Sequence, residues 1–182
     1  MRSLKEIQEQ LLDLRLTNTS TTLSELSKEV GLKLLETKST LSTAESYTSG
    51  ALASIITSVP GSSRYFMGGV IAYSESIKCS MLGVPASLIE TFGVVSLEVV
   101  EAMAEGCNRK LGTHYSIATS GTAGPGGGTL EIPIGTVCLA IDGPGFCKSW
   151  TYNLNGDRNE VVVTSMEIVL RELLNIIDSS SD

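Results

Sequence analysis

Apolar residues recur along this chain at two spacings, and each spacing predicts a different kind of element. Stripes with helical periodicity indicate amphipathic helices, whereas short apolar runs between glycines, prolines and serines are typical of strands. The stripes predict helices over roughly 4–16, 22–34, 51–58, 97–111 and 158–178. The short runs predict strands over roughly 42–44, 66–74, 115–119, 135–142 and 147–153. Helices alternating with strands in this way predict an α/β domain.

Polar residues and glycines support several of these boundaries. Capping boxes are predicted at three helix starts, by Ser3 with Glu6, Thr22 with Glu25, and Asp157 with Glu160. Ser96 precedes a helical stripe as an N-cap would, and Gly112 follows the same stripe as a C-terminal glycine would. These signals set where we expect the helices to begin and end.

The order of elements also predicts the layering of the fold. A hairpin through Gly143-Pro144-Gly145 would make the last two strands antiparallel, while helices separate the earlier strands. This arrangement favours a three-layer α/β/α sandwich with a mixed sheet. Because 182 residues fit one core, we expect an N-terminal helical extension over 1–20 and a single α/β domain over 21–182.

Composition limits the kinds of partner that the protein is expected to bind and the cellular location in which it is expected. The net charge is −7 and no basic run is present, which argues against nucleic acid and favours a small-molecule substrate. No apolar run approaches membrane-spanning length, and the N-terminus does not read as a secretory signal, so a cytoplasmic location without membrane contact is expected. The four cysteines form no C-x-x-C pair and the chain has one histidine, which predicts neither a metal site nor a cofactor.

Three predicted strands end in residues that carry reactive or polar groups: Glu45-Ser46, Tyr73-Ser74 and Thr119-Ser120-Gly121. In an open α/β sheet, ligands bind beyond the carboxyl ends of the strands, so these ends are expected to share one crevice. Ser46 directly precedes a predicted helix start, where free N–H groups would stabilise a developing oxyanion. The alternative is that Ser46 or Thr48 only caps that helix.

A nucleophilic serine needs a proton acceptor, and the chain offers two kinds. His114 is the only histidine from which a Ser-His-Asp triad could be built. Lys78 is the other candidate, because a desolvated lysine can lose its proton near neutral pH, with the Tyr73 hydroxyl relaying the proton or orienting the amine. The alternative for Lys78 is a solvated position at the head of a helix.

Two further features are candidates for binding an anion. The glycine-rich segment 121–128 is a predicted loop whose N–H groups could face a phosphate, yet it lacks the Gly-Lys-Ser/Thr ending of a P-loop. A tight structural loop is the alternative reading. Arg158 follows Gly156-Asp157 and could reach an anion, or it could be an exposed side chain beside a helix cap.

The motifs taken in order resemble those of the CinA C-terminal family over roughly residues 23–177. The segments that carry the resemblance are Thr43-Ala44-Glu45-Ser46, Val59-Pro60-Gly61-Ser62-Ser63, Gly69-Val70-Ile71-Ala72-Tyr73-Ser74, Leu82-Gly83-Val84-Pro85, the loop 121–129, Pro133-Ile134-Gly135-Thr136-Val137 and Gly156-Asp157-Arg158. The family resemblance implies a metal-independent nicotinamide-nucleotide amidohydrolase that converts nicotinamide mononucleotide to nicotinate mononucleotide and ammonia.

Site residues follow from the resemblance position by position. It implies Ser46 as nucleophile, Lys78 as proton acceptor and Tyr73 as a helper. The residues implied around the substrate are Thr48, Gly50, Thr119, Ser120, Gly121, Gly124, Gly126 and Gly127, with Arg158 at the phosphate. A homo-oligomer is expected because the apolar stripe of the first predicted helix has no obvious partner surface.

The sequence departs from the family pattern close to these residues. Tyr47 stands where a cysteine is usual, Ser49 where a glycine is usual, Glu75-Ser76 where Asn-Glu is usual, and Ser120 where a threonine is usual. A carboxylate at Glu75 is expected to raise the pKa of Lys78. The alternative function is therefore a catalytically silent paralogue that binds a nucleotide or a protein partner through the same crevice.

Overall fold

The computed structural model describes residues 19–179, which form a five-stranded sheet and six α-helices. The helices are α1 (Thr19–Glu36), α2 (Ala51–Thr57), α3 (Glu75–Leu82), α4 (Ala86–Phe92), α5 (Leu97–Leu111) and α6 (Arg158–Ser179). The strands are β1 (Leu41–Glu45), β2 (Phe66–Ile71), β3 (Tyr115–Gly121), β4 (Thr136–Gly143) and β5 (Phe146–Asn153). The helix predicted over 4–16 lies outside the described residues.

The sheet is mixed, as the sequence predicts. Its strand order is β2-β1-β3-β4-β5, with β1 parallel to both β2 and β3. The other two pairs, β3 with β4 and β4 with β5, are antiparallel. The last pair closes through a hairpin in which Gly143 lies opposite Phe146, which confirms the predicted turn at 143–145. Parallel strands β1 and β3 therefore end side by side at one edge of the sheet.

Alternating residues of the strands build two separate cores, one on each face of the sheet. In β4, Leu139 and Ile141 pack with side chains of α1, α2 and α6, whereas Cys138 and Ala140 pack with side chains of α3, α4 and α5. This division follows from the period of two in a strand, which sends successive side chains to opposite faces. The predicted three-layer α/β/α arrangement is confirmed.

Several predicted helix boundaries are also confirmed. The Ser96 hydroxyl accepts a hydrogen bond from the Val99 N–H at 3.3 Å, as an N-cap does. Asp157 and Glu160 form the reciprocal bonds of a capping box at 2.8 and 2.9 Å. Within residues 19–179, no helix combines the length and apolar character needed to cross a membrane.

Two predicted boundaries are wrong. Helix α1 already includes Thr19, so the box of Thr22 with Glu25 does not begin it. Strand β2 ends at Ile71 rather than at Ser74, because the Ser74 hydroxyl accepts the Ile77 N–H at 3.3 Å and caps α3. This second correction matters for the site, since it places Lys78 inside a helix that packs on the sheet.

The close approach of α3 to α5 depends on Gly106. A Cβ atom at this position would overlap the backbone carbonyl oxygen and carbon of Leu82, the last residue of α3. Backbone atoms cannot give way as a flexible side chain can. The glycine at position 106 therefore allows α3, the helix that carries Lys78, to pack closely against α5.

We predict that Gly106→Ala lowers the free energy of unfolding by about 1–3 kcal/mol, the usual cost of an overpacked site. Urea unfolding followed by circular dichroism measures this change. Gly126→Ala is the matched control, since a Cβ at Gly126 meets no heavy atom within 4 Å and its φ is not positive. A Gly106→Ala loss no larger than that of the control would contradict the packing described here.

Candidate active site

A cavity of about 370 Å³ opens where β1 and β3 end and α3 begins. Its walls are formed by Ser46, Tyr47, Tyr73, Ser74, Glu75, Lys78, Val94, Val95, Ser120, Gly121, Thr122, Ala123, Gly124, Gly126, Gly127 and Arg158. All three segments that the sequence identified as strand ends thus contribute residues to one crevice, as predicted, although Tyr73 and Ser74 lie past the end of β2. Of the twelve predicted site residues, nine line this cavity, and Thr48, Gly50 and Thr119 do not.

The Lys78 amine reaches the Ser46 hydroxyl at the base of this cavity. Lys78 Nζ lies 3.0 Å from Ser46 Oγ and 2.6 Å from the Ala72 carbonyl oxygen. Lys78 is only 2% exposed, so the solvated position considered from the sequence is wrong. A neutral amine in this geometry accepts the serine proton through its lone pair while one N–H donates to Ala72. Ser46 and Lys78, which the sequence predicts as nucleophile and base, thus lie within hydrogen-bond distance of each other.

Burial and a neighbouring carboxylate act on Lys78 in opposite directions. Burial disfavours the ammonium form and lowers the pKa of Lys78, and the negative charge of Glu75 raises it by a smaller amount. The net pKa is lowered from 10.5. The prediction that Glu75 raises the pKa of Lys78 is confirmed in direction, but desolvation outweighs this one charge at an exposed position.

The turn that carries Ser46 is fixed by the preceding residue, Glu45. Its buried carboxylate accepts N–H groups from Gly50 at 2.9 Å, Leu52 at 3.1 Å and Ala53 at 2.8 Å. These N–H groups lie at the start of α2, and they are the groups that the sequence analysis expected to stabilise an oxyanion. They are occupied, and α2 begins at Ala51 rather than directly after Ser46. Glu45 was missed as a functional residue, although an acidic residue before a helix start is a readable signal.

Another N–H group is available closer to Ser46. The Ser46 N–H donates to the Thr119 carbonyl oxygen at 3.0 Å. Within residues 19–179, the N–H of Tyr47 donates no hydrogen bond, and Tyr47 lines the cavity. The Tyr47 N–H, directly after Ser46, is thus available to a negatively charged atom in the cavity.

The turn at Ser46 is supported on the side away from the cavity by Thr48, Thr119 and Gly50. The hydroxyls of Thr48 and Thr119 are hydrogen-bonded to each other at 2.8 Å, and both residues are buried. Gly50 adopts φ 93° at the residue before α2, a left-handed conformation that favours glycine. The structure therefore does not bring these three residues to the substrate side, where the resemblance implied them.

Arg158 joins the glycine-rich loop to the turn that carries Ser46. Its Nη1 donates to the Gly124 carbonyl oxygen at 2.9 Å and its Nη2 donates to the Tyr47 carbonyl oxygen at 3.3 Å. A guanidinium has five N–H donors, so these bonds leave donors for an anion in the cavity. Arg158 is half-buried here rather than an exposed side chain beside a cap.

Tyr73 and Ser120 line the cavity but act differently from what the sequence suggests. Tyr73 is 63% exposed, and the hydrogen-bond partners of Lys78 are Ser46 and Ala72, so the structure contains no Tyr73–Lys78 relay. The Ser120 hydroxyl donates to the Val94 carbonyl oxygen at 2.6 Å, which holds the 94–95 segment against the cavity. The sequence contains no signal that would have placed Val94 and Val95 in this wall.

Two departures from the family pattern leave the reactive pair intact. The Tyr47 side chain is 3% exposed and packs in the core on the α6 side of the sheet. Ser49 has φ 55°, a left-handed conformation in which a glycine would be less strained. With both residues present, Ser46 and Lys78 remain in contact at 3.0 Å.

The described residues offer one group suited to metal binding, and it lies away from the cavity. Ligand atoms of Glu105, Asp142 and Cys147 all lie within 4.8 Å of one another. Asp142 already accepts a hydrogen bond from Asn108 at 2.6 Å. Burial and the nearby carboxylates raise the pKa of Cys147 to about 12.

We predict that Lys78→Met changes how stability depends on pH. Since the folded pKa of Lys78 lies below the unfolded value, the unfolded chain binds the proton more readily, and wild-type stability falls as pH drops from about 10.5 through the folded pKa. The variant lacks this loss, so the difference in unfolding free energy should move in its favour as pH falls. Urea titrations from pH 10 to pH 6 measure it.

The exposed Lys28→Met change controls for removal of a lysine side chain. A Lys78→Met difference that moved in favour of the wild type at lower pH would indicate a paired, charged amine and would contradict the site described above.

Comparison with known proteins places these features in a family context. Residues 23–177 match the model of the CinA C-terminal domain. A CinA-like protein of Synechococcus sp. (strain CC9902) is 48% identical over 141 residues, which are 77% of this chain and 34% of that protein. A second, from Parasynechococcus marenigrum (strain WH8102), is 48% identical over 149 residues, or 82% of this chain and 36% of that protein. The chain spans about a third of the length of these curated relatives.

Solved structures agree with the sequence matches. The crystal structure of a competence or damage-inducible protein from Enterobacter asburiae has a TM-score of 0.83 and 33% identity, covering 85% of this chain and 98% of that chain. A competence/damage inducible protein from Agrobacterium tumefaciens has a TM-score of 0.82 and 32% identity, covering 85% of this chain and 96% of that chain. Both matches extend over nearly the whole of the solved chains.

Proposed function

This chain belongs to the CinA C-terminal domain family, and we propose that it hydrolyses the carboxamide of nicotinamide mononucleotide to nicotinate mononucleotide and ammonia. The observation that carries the proposal is the 3.0 Å contact between the buried Lys78 amine and the Ser46 hydroxyl. A serine with a neutral lysine beside it is a nucleophile with its own general base. Such a pair performs acyl transfer without a metal.

In the first half of the reaction, Ser46 Oγ attacks the carboxamide carbon while its proton passes to Lys78 Nζ. The resulting oxyanion is stabilised by the free N–H of Tyr47, and the protonated Lys78 then gives its proton to the departing nitrogen. The C–N bond breaks, ammonia leaves, and an ester joins the nicotinoyl group to Ser46. The Ala72 carbonyl, which accepts a hydrogen bond from Lys78, holds the amine in place throughout.

In the second half, water replaces ammonia. Neutral Lys78 takes a proton from a water molecule as the oxygen attacks the ester carbon, and the same proton returns to Ser46 Oγ when the ester bond breaks. The product is nicotinate mononucleotide, and the enzyme recovers its starting protonation state. One lysine thus serves as base and acid in both halves.

Arg158 and the glycine-rich loop are suited to the phosphate. Arg158 retains unused donors after binding Gly124 and Tyr47, and a guanidinium recognises phosphate oxygens well. Gly126 and Gly127 line the same wall, where backbone can approach a ligand closely because no side chain intervenes. The phosphate would then anchor the substrate at a distance from the amide.

We predict that the purified protein releases ammonia from nicotinamide mononucleotide and that Ser46→Ala and Lys78→Met each lower kcat at least about 1,000-fold, as expected for loss of a nucleophile or its base. A coupled ammonia assay measures this. Ser54→Ala, a serine of α2 outside the cavity, is the matched control and should retain activity.

No ammonia from the wild-type protein, together with binding of the nucleotide, would instead identify a catalytically silent paralogue. Activity that survived in Ser46→Ala would reject Ser46 as the nucleophile.

The pH profile supplies an independent test of the base. We predict that kcat/KM rises with pH and levels off at an apparent pKa below 10.5, because the reaction needs neutral Lys78. Glu75→Gln should move this inflection to lower pH, since it removes the charge that raises the pKa of Lys78. Glu98→Gln, in the first turn of α5 and outside the cavity, is the control. An inflection that moved upward in Glu75→Gln would contradict the assignment.

A further inference from the structure

Two side chains of opposite charge line the same cavity without neutralising each other. Glu75 and Arg158 both belong to its wall. The ion pairs within residues 19–179 join Lys33 to Glu36 and to Asp178, and neither cavity residue takes part in one. Two unpaired opposite charges around one small volume give it a dipolar field, which complements a ligand that carries both charges.

The two charges come from opposite faces of the sheet. Glu75 is the first residue of α3, whose apolar side chains pack in the core shared with α4 and α5. Arg158 is the first residue of α6, which packs in the core on the other face. The cavity lies at the sheet edge between these layers. One wall is therefore negative and the other positive.

Glu75 is exposed and takes part in no ion pair within residues 19–179. The Lys78 amine in the same cavity interacts electrostatically with it, and burial lowers the pKa of that amine. Arg158 donates to the carbonyl oxygens of Gly124 in the glycine-rich loop and of Tyr47 in the turn after Ser46. The negative charge thus acts beside the Lys78 amine, and the positive charge acts between the glycine-rich loop and that turn.

We propose that Glu75 forms a cation subsite that selects substrates whose carboxamide is attached to a positively charged ring, with an anionic group farther out toward Arg158. This inference rests on the proposed function and deepens it. A pyridinium nucleotide has this distribution of charge: the ring that bears the amide is cationic, and the phosphate is anionic. An otherwise matched nucleotide with an uncharged ring would lose the attraction to Glu75.

A purely structural role for Glu75 predicts something different. An acidic residue in the first turn of a helix stabilises that helix through its dipole, as Glu98 does at the start of α5. Such a role would affect folding but would not distinguish ring charges. Glu98→Gln therefore serves as a control for the loss of one first-turn carboxylate outside the cavity.

The test compares two ligands that differ in ring charge: nicotinamide mononucleotide and its 1,4-dihydro form. Calorimetric titration of Ser46→Ala measures binding without turnover, which separates affinity from the effect of Glu75 on Lys78. Adding Glu75→Gln should weaken binding of the cationic ligand by about fivefold to tenfold, the size expected for one partly screened charge contact, and leave the uncharged ligand unweakened. Adding Glu98→Gln should change neither.

Equal effects of Glu75→Gln on both ligands, or no effect on either, would overturn the cation subsite. Ammonia release by the wild-type protein decides the proposed function separately, so the subsite can fail while the hydrolase stands. If Ser46→Ala binds neither ligand, both the subsite and the nucleotide substrate are rejected.

Discussion

The burial of the Lys78 amine against the Ser46 hydroxyl is the interaction on which the rest of this site depends. Removing an amine from water disfavours its charged form, and the structure supplies two hydrogen-bond partners, Ser46 Oγ and the Ala72 carbonyl, but no ion-pair partner within residues 19–179. A buried lysine of this kind contributes little to stability. Its placement fits the proposed reaction, because a lysine with a lowered pKa beside a serine can act as its base.

The sheet and its helices position this pair from three directions. Parallel strands β1 and β3 bring Ser46 and the glycine-rich loop to one edge, and Glu45 binds the N–H groups at the start of α2 so that the turn at Ser46 is held. Helix α3 inserts Lys78 from one layer because Gly106 lets it approach α5 closely. Arg158 reaches in from the other layer and joins the loop to the turn.

The sequence predicted the layered fold and the shared crevice because both depend on regular patterns. The local signals are the alternating apolar residues of β4 and the capping residues Ser96 and Asp157. The shared crevice follows from topology, because the carboxyl ends of neighbouring parallel strands lie at the same edge of the sheet. The errors came from effects that only packing reveals. The burial of Lys78 depends on how closely α3 packs against residues that are distant in sequence. The same packing decides whether Tyr73 contacts Lys78, and whether desolvation or the charge of Glu75 has the larger effect on the pKa of Lys78. Likewise, the Glu45 carboxylate accepts the N–H groups at the start of α2, which the sequence analysis had expected to bind an oxyanion.

The most direct test of the central claim is an NMR titration of the Lys78 side chain in protein labelled at the lysine Cε carbon, with the signal assigned by its absence in Lys78→Met. A resonance that titrates below pH 10.5 is the expected result, because burial outweighs the charge of Glu75. A titration at or above 10.5 would mean that Lys78 remains charged beside Ser46 and would contradict its role as the base.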